Sequence, residues 1–106
     1  MEDMMEDLCM HVIADSGAAK SKYIASIELA GKDQFDEAID FLEKGKEDLQ
    51  KGAEAHLKML KLASREDGNV LSLLMVHAED HLSSAELLEK MAEEMIRLYQ
   101  KVSKCQ

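Results

Sequence analysis

No proline and no tryptophan occur among the 106 residues, and phenylalanine and tyrosine contribute only two residues each. Without proline nothing forces a break in a helix, and a chain rich in Ala, Leu, Glu, Lys and Met favours long uninterrupted ones. With aromatics at 4% and hydrophobic residues at 46%, the core must be aliphatic and methionine-rich. Basic residues are also scarce. Thirteen Lys and Arg face 22 Asp and Glu, and the net charge of −9 leaves no basic stripe to replace phosphate counterions, which excludes a nucleic-acid partner. No apolar run reaches the roughly 18 residues of a membrane span, so no insertion into a membrane is expected. The opening MEDMMEDLCM is acidic where a signal peptide is basic. The two cysteines, Cys9 and Cys105, lie near opposite ends with no metal-ligand spacing, and read as reduced thiols of a cytosolic protein. The length suits one domain, residues 1–106, and is too short for two.

What is present is helical periodicity. Met5, Leu8, Val12, Ala19, Tyr23, Ile27 and Ala30 recur at spacings of three and four, which predicts a first helix ending near Ala30. Gly17, within the small-residue run Ser16-Gly17-Ala18-Ala19, either admits a close neighbour or is merely tolerated. Gly31 is expected to stop this helix and Asp33 to cap the next, so short a link making the two antiparallel neighbours. The second helix carries a seam of Phe35, Ala38, Leu42, Gly45, Leu49, Gly52, His56, Met59 and Ala63. This 3-4 alternation is the pattern of left-handed helix packing, with Gly45 and Gly52 at close contacts. A second break at Arg65-Glu66-Asp67-Gly68-Asn69 offers Gly68 as a stop and Asn69 as a cap. The third helix then runs to about Val102. The product is an all-α, antiparallel three-helix bundle with helices of about 45 Å.

The third helix is apolar over most of its circumference. Val70, Leu74, Leu88, Ala92, Met95 and Tyr99 share one face, and further apolar residues widen it on both sides. A helix on a single core needs a stripe of only about 100° or a little more, so this surplus predicts a homo-oligomer with the third helix at its centre. Into that surface the stretch Val70–Leu82, V-L-S-L-L-M-V-H-A-E-D-H-L, sets His77, Asp80 and His81 at i, i+3 and i+4, neighbours on one helix face. Three readings compete. Two histidines and a carboxylate suit a metal, although Ala78 stands where the catalytic glutamate of a His-Glu-x-x-His site belongs and no paired Glu-x-x-His motif is present. A neutral imidazole is a good nucleophile toward phosphorus near pH 7. A buried polar layer that fixes oligomer register needs no chemistry at all. His56, alone on the second seam, is by the same logic a hydrogen-bonded core residue before it is a ligand.

The segment L-L-M-V-H-A-E-D-H-L resembles the active-site segment of the lactose/cellobiose-type IIA components of the bacterial sugar phosphotransferase system, typically L-L-x-V-H-[AG]-Q-D-H-L-M. Ser16-Gly17-x-Ala19-Lys20-Ser21, Phe35-x-x-Ala38, Glu54-Ala55-His56 and Ile96-x-Leu98-Tyr99 extend the likeness over nearly the whole chain. The resemblance implies that His77 is phosphorylated by the phosphocarrier HPr and passes the group to a cysteine of a IIB component. It implies a three-helix bundle trimerised into nine helices, acting in uptake of a β-linked disaccharide of the lactose, cellobiose or chitobiose class. Asp80 corresponds to the family aspartate that meets its symmetry mates on the trimer axis, where a divalent cation such as Mg²⁺ offsets their repulsion; no organic cofactor is implied. His81, one turn on, and His56, from the facing helix, are candidate contacts to the phosphoryl oxygens. Glu79 replaces the usual glutamine and Ser83 the usual methionine; the helical wheel turns Glu79 onto the polar strip, away from His77. The alternative is a trimeric metal-binding bundle without transfer activity, or a divergent regulatory relative.

Overall fold

Helix formers uninterrupted by proline let the backbone close its i→i−4 hydrogen bonds over long stretches. In the computed structural model, which describes residues 2–65 and 72–105, they do so three times, as α1 (Glu2–Gly31), α2 (Phe35–Arg65) and α3 (Leu73–Lys104). The helices have 30, 31 and 32 residues and run up, down and up in a bundle of 61 × 17 × 16 Å. The expected three-helix architecture is the one observed.

The α2 seam is buried as its spacing requires, at Ala38, Leu42, Gly45, Leu49, Gly52 and Met59. It packs on Cys9, Val12, Ala19, Tyr23 and Ala30 of α1 and on Met75, Ala78, Leu82, Ala85, Ala92 and Ile96 of α3. Gly45 is where the wide Tyr23 ring crosses α2. A Cβ there would lie 2.6 Å from Tyr23 Cε1. Around Gly17 nothing lies within 4 Å of an added Cβ, so of its two readings tolerance holds. Tyr23 donates to Glu89 Oε1 at 3.1 Å, Lys22 pairs with Asp48, and Lys46 lies 3.8 Å from Glu93. Each pair of helices is thus joined by at least one polar pair. Cys9 is buried with its Sγ 3.5 Å from Met59 Sδ, Cys105 is exposed, and both are free thiols.

The helix junctions differ from expectation. Gly31 lies within α1, and its bare Cα makes room for the Tyr99 ring, whose Cζ would be 3.4 Å from a Cβ. Asp33 does not cap α2. Its φ of 61° is left-handed, its N–H bonds to Ala30 O, and the Gln34 N–H bonds to Leu29 O. That pair of bonds is a Schellman closure of α1 with Asp33 in the position glycine usually takes, a conformation a short polar side chain tolerates. The Gln34 carbonyl accepts from the Ala38 N–H and begins α2. The stop and cap expected at Gly68 and Asn69 lie outside the described residues, but the N-cap of α3 is Ser72. Its backbone is extended and its side chain accepts from the Met75 N–H. At the other end α3 continues past Val102 to Lys104.

Candidate functional site

The core face of α3 holds Met75, Ala78, Leu82, Ala85, Ala92 and Ile96. On the opposite side of the same helix a second apolar row, Leu73, Val76, Leu87, Met91, Leu98 and Val102, is exposed in the single chain, with Leu73 85% and Leu87 63% accessible. At about 100° per residue these six fall within about 80° of one another, and Asp80 falls in their middle. Helix α3, too apolar for a single core, therefore buries one side and displays another.

At the edge of the displayed row an open groove is lined by Lys20 from α1 and by His77, Asp80, His81, Ser83, Ser84 and Leu87 from α3. It brings together three of the four candidate residues. His77 is exposed and His81 half-buried. Their Nε2 atoms are 3.2 Å apart, and the rings meet edge to face with centroids 4.5 Å apart. Lys20 Nζ lies 3.0 Å from His81 Nδ1 and donates to Ser84 Oγ at 2.8 Å. The Ser84 hydroxyl is itself turned to donate to the carbonyl of His81, 3.1 Å away. Burial, then the Lys20 charge, then His77 push the His81 imidazolium below the ordinary histidine range, and Asp80 opposes them. A nearby ammonium and withdrawal from water both disfavour a second positive charge on the ring.

His56, the fourth candidate, is not among the groove residues. Its Nε2 is bonded to Glu79 across the α2–α3 contact, so the departure from the family glutamine serves as partner to His56 and is turned from the groove. No three His, Cys, Asp or Glu side chains gather for a metal among the described residues. Asp80 offers one exposed carboxylate per chain, a donor that several chains must share to hold a cation. Lys20 and Ser84 had no role from spacing. Ser84, three residues beyond His81, lay within reach of a helical-wheel search, whereas Lys20 is 61 residues from its histidine, and only the fold joins them. No described helix is long and apolar enough to cross a membrane.

Comparison with known proteins gives consistent matches over most of the chain. A family profile described as "PTS system, Lactose/Cellobiose specific IIA subunit" matches residues 7–100. The oligo-beta-mannoside-specific EIIA component of Bacillus subtilis is 32% identical over 89% of this chain and 86% of its own. The lichenan-specific phosphotransferase enzyme IIA component of the same organism is 30% identical over 97% and 94%. The crystal structure of the cellobiose-specific enzyme IIA from Bacillus anthracis superposes with a TM-score of 0.87 at 27% identity, covering 94% of this chain and 92% of that one.

Proposed function

Because the chain belongs to the lactose/cellobiose-specific IIA family of the sugar phosphotransferase system, and is thereby a phosphoryl-carrying phosphotransferase component, we propose that His77 is the residue that carries the phosphoryl group. It accepts the group from phospho-HPr and yields it to a cysteine of the cognate IIB component, in uptake of a β-linked disaccharide of the lactose, cellobiose or chitobiose class. The observation that carries this reading is an exposed imidazole whose Nε2 faces a groove holding a second imidazole, an ammonium and a hydroxyl.

Phosphoryl transfer has a loose transition state, so positioning and charge compensation dominate its catalysis. The Nε2 lone pair of His77 forms the N–P bond while the bond from phosphorus to the donor breaks, and its electron pair leaves with the donor. The ring then bears phosphorus on Nε2 and its original proton on Nδ1. That positive charge makes it a good leaving group toward the acceptor thiolate. Lys20, 3.0 Å from His81, offsets the negative phosphoryl oxygens.

The exposed row on α3 supports a homotrimer of nine helices with this row at its centre. Three Asp80 side chains then converge, and a divalent cation such as Mg²⁺ held by them would offset their mutual repulsion. The test of function is mass. Incubation with phosphoenolpyruvate, enzyme I and HPr adds one phosphate per chain, and His77→Ala abolishes the addition while leaving helicity intact. Phosphate persisting in that variant, on His81 or His56, overturns the assignment.

A further inference from the structure

Which nitrogen of His77 carries the proton decides whether Nε2 is a nucleophile. In water a neutral histidine side chain favours the proton on Nε2, the wrong nitrogen for a group accepted there. We propose that Lys20 is a positioning residue that sets the tautomer of His77 at second hand, through His81. The proposal rests on the reading of His77 as phosphoryl acceptor, but the arrangement it describes exists in the unphosphorylated protein.

A lysine ammonium has three donors and no lone pair, so at 3.0 Å from His81 Nδ1 it must donate and Nδ1 must accept. The proton of neutral His81 is therefore on Nε2, the atom 3.2 Å from His77 Nε2. His81 donates across that gap, so His77 Nε2 presents a lone pair and the His77 proton resides on Nδ1. The order Lys20, His81, His77 thus inverts the solution preference of the reacting ring. A second proton on His81 would set two donors face to face at Lys20, and the downward pressure on its titration acts in the same direction.

Lys20 is itself held. It is half-buried and donates to Ser84 Oγ at 2.8 Å, while Ser84 is oriented by its bond to the His81 carbonyl. The ammonium therefore grips both the ring of His81 and the helical turn that follows it. When phosphorus bonds to His77 Nε2, the Nε2–H of His81 is released and faces a phosphoryl oxygen. The same Nε2–H that holds the His77 tautomer then supplies a hydrogen bond to the phosphorylated product.

The test is two-bond ¹H–¹⁵N correlation spectroscopy on full-length protein with ¹⁵N-labelled histidine, at a pH where both rings are neutral. It is applied to the wild type, Lys20→Met and Lys20→Arg, alongside rates of phosphate uptake from phospho-HPr. The expected result is His81 protonated on Nε2 and His77 on Nδ1 in the wild type. In Lys20→Met the His77 proton moves largely to Nε2, and uptake slows by about 10- to 100-fold, the scale seen when partners that orient metal-ligating histidines are removed. Lys20→Arg, another cation with donors only, restores both the tautomers and most of the rate. Wild-type His77 protonated on Nε2, or a Lys20→Met variant that loses rate with His77 still protonated on Nδ1, overturns the proposal; the second result leaves Lys20 a mere counter-charge. If the wild-type tautomers are as expected but phosphate is absent from His77, the relay stands and the assignment of the acceptor fails. If Lys20→Met does not fold, the wild-type tautomers decide.

Discussion

Burial, the Lys20 ammonium and the His77 ring each disfavour a second proton on His81, and only Asp80 favours it. Its folded-state pKa therefore lies below that of the unfolded chain, and the unfolded chain binds the extra proton more readily. By linkage the contribution of this group to stability is present above the unfolded value of about 6.5, and is lost as pH falls through the lower folded value. An NMR titration should place the His81 midpoint below the ordinary histidine value, and Lys20→Met should move it upward. A midpoint at or above the ordinary value contradicts the arrangement around Lys20. Cys9 follows the same physics without the function, since burial raises its thiol pKa and keeps it an inert core residue beside Met59.

Two glycines in helix interiors make opposite predictions because their surroundings differ. At Gly45 an added methyl group would lie 2.6 Å from the ring of Tyr23, a fully buried side chain anchored to Glu89 that cannot swing aside. Gly45→Ala should lower stability by about 1–3 kcal/mol, as overpacking does, despite the helix propensity it gains. Gly17→Ala meets nothing within 4 Å and should raise stability by about 0.5–1 kcal/mol. Denaturant midpoints of the two variants against the wild type check both signs in one series. A stabilised Gly45→Ala variant contradicts the close crossing of α1 and α2 at Tyr23.

Six of the twelve exposed large hydrophobic residues among those described, Leu73, Val76, Leu87, Met91, Leu98 and Val102, form one row along α3. For the proposed trimer, sedimentation at about three times the chain mass of 11.9 kDa is the expected outcome at micromolar concentration. A monomer there contradicts it. Asp80, centred in the row, is then one of three like charges in a poorly solvated place. Exchanging such a cluster for apolar packing often stabilises by about 1–4 kcal/mol. Asp80→Leu should raise the melting temperature, remove its dependence on Mg²⁺ or chelator, and leave phosphate uptake at His77 intact. Dissociation of the trimer by this substitution would mean that Asp80 holds the interface. Loss of uptake in an intact trimer would place Asp80 in the reacting groove.

Periodicity and the absence of proline sufficed for three helices, their order and the α2 seam, because burying one face of a helix imposes its spacing on the residues that line it. The same reasoning set His77, Asp80 and His81 on one surface, since i, i+3 and i+4 are neighbours in any α-helix. The closures were not legible. Asp33 and Ser72 are chosen by which backbone groups remain to be satisfied where the chain reverses, and a turn residue written in the sequence does not say which of two adjoining helices it serves. Nor was the partner of His56. Its seam position is correct, but an ionisable edge residue is claimed by whichever charge the facing helix presents, here Glu79. Lys20 marks the limit most plainly. Its place beside His81 depends on the packing of α1 against α3 across 61 residues of sequence, and a tautomer is set by a contact, which only tertiary structure supplies.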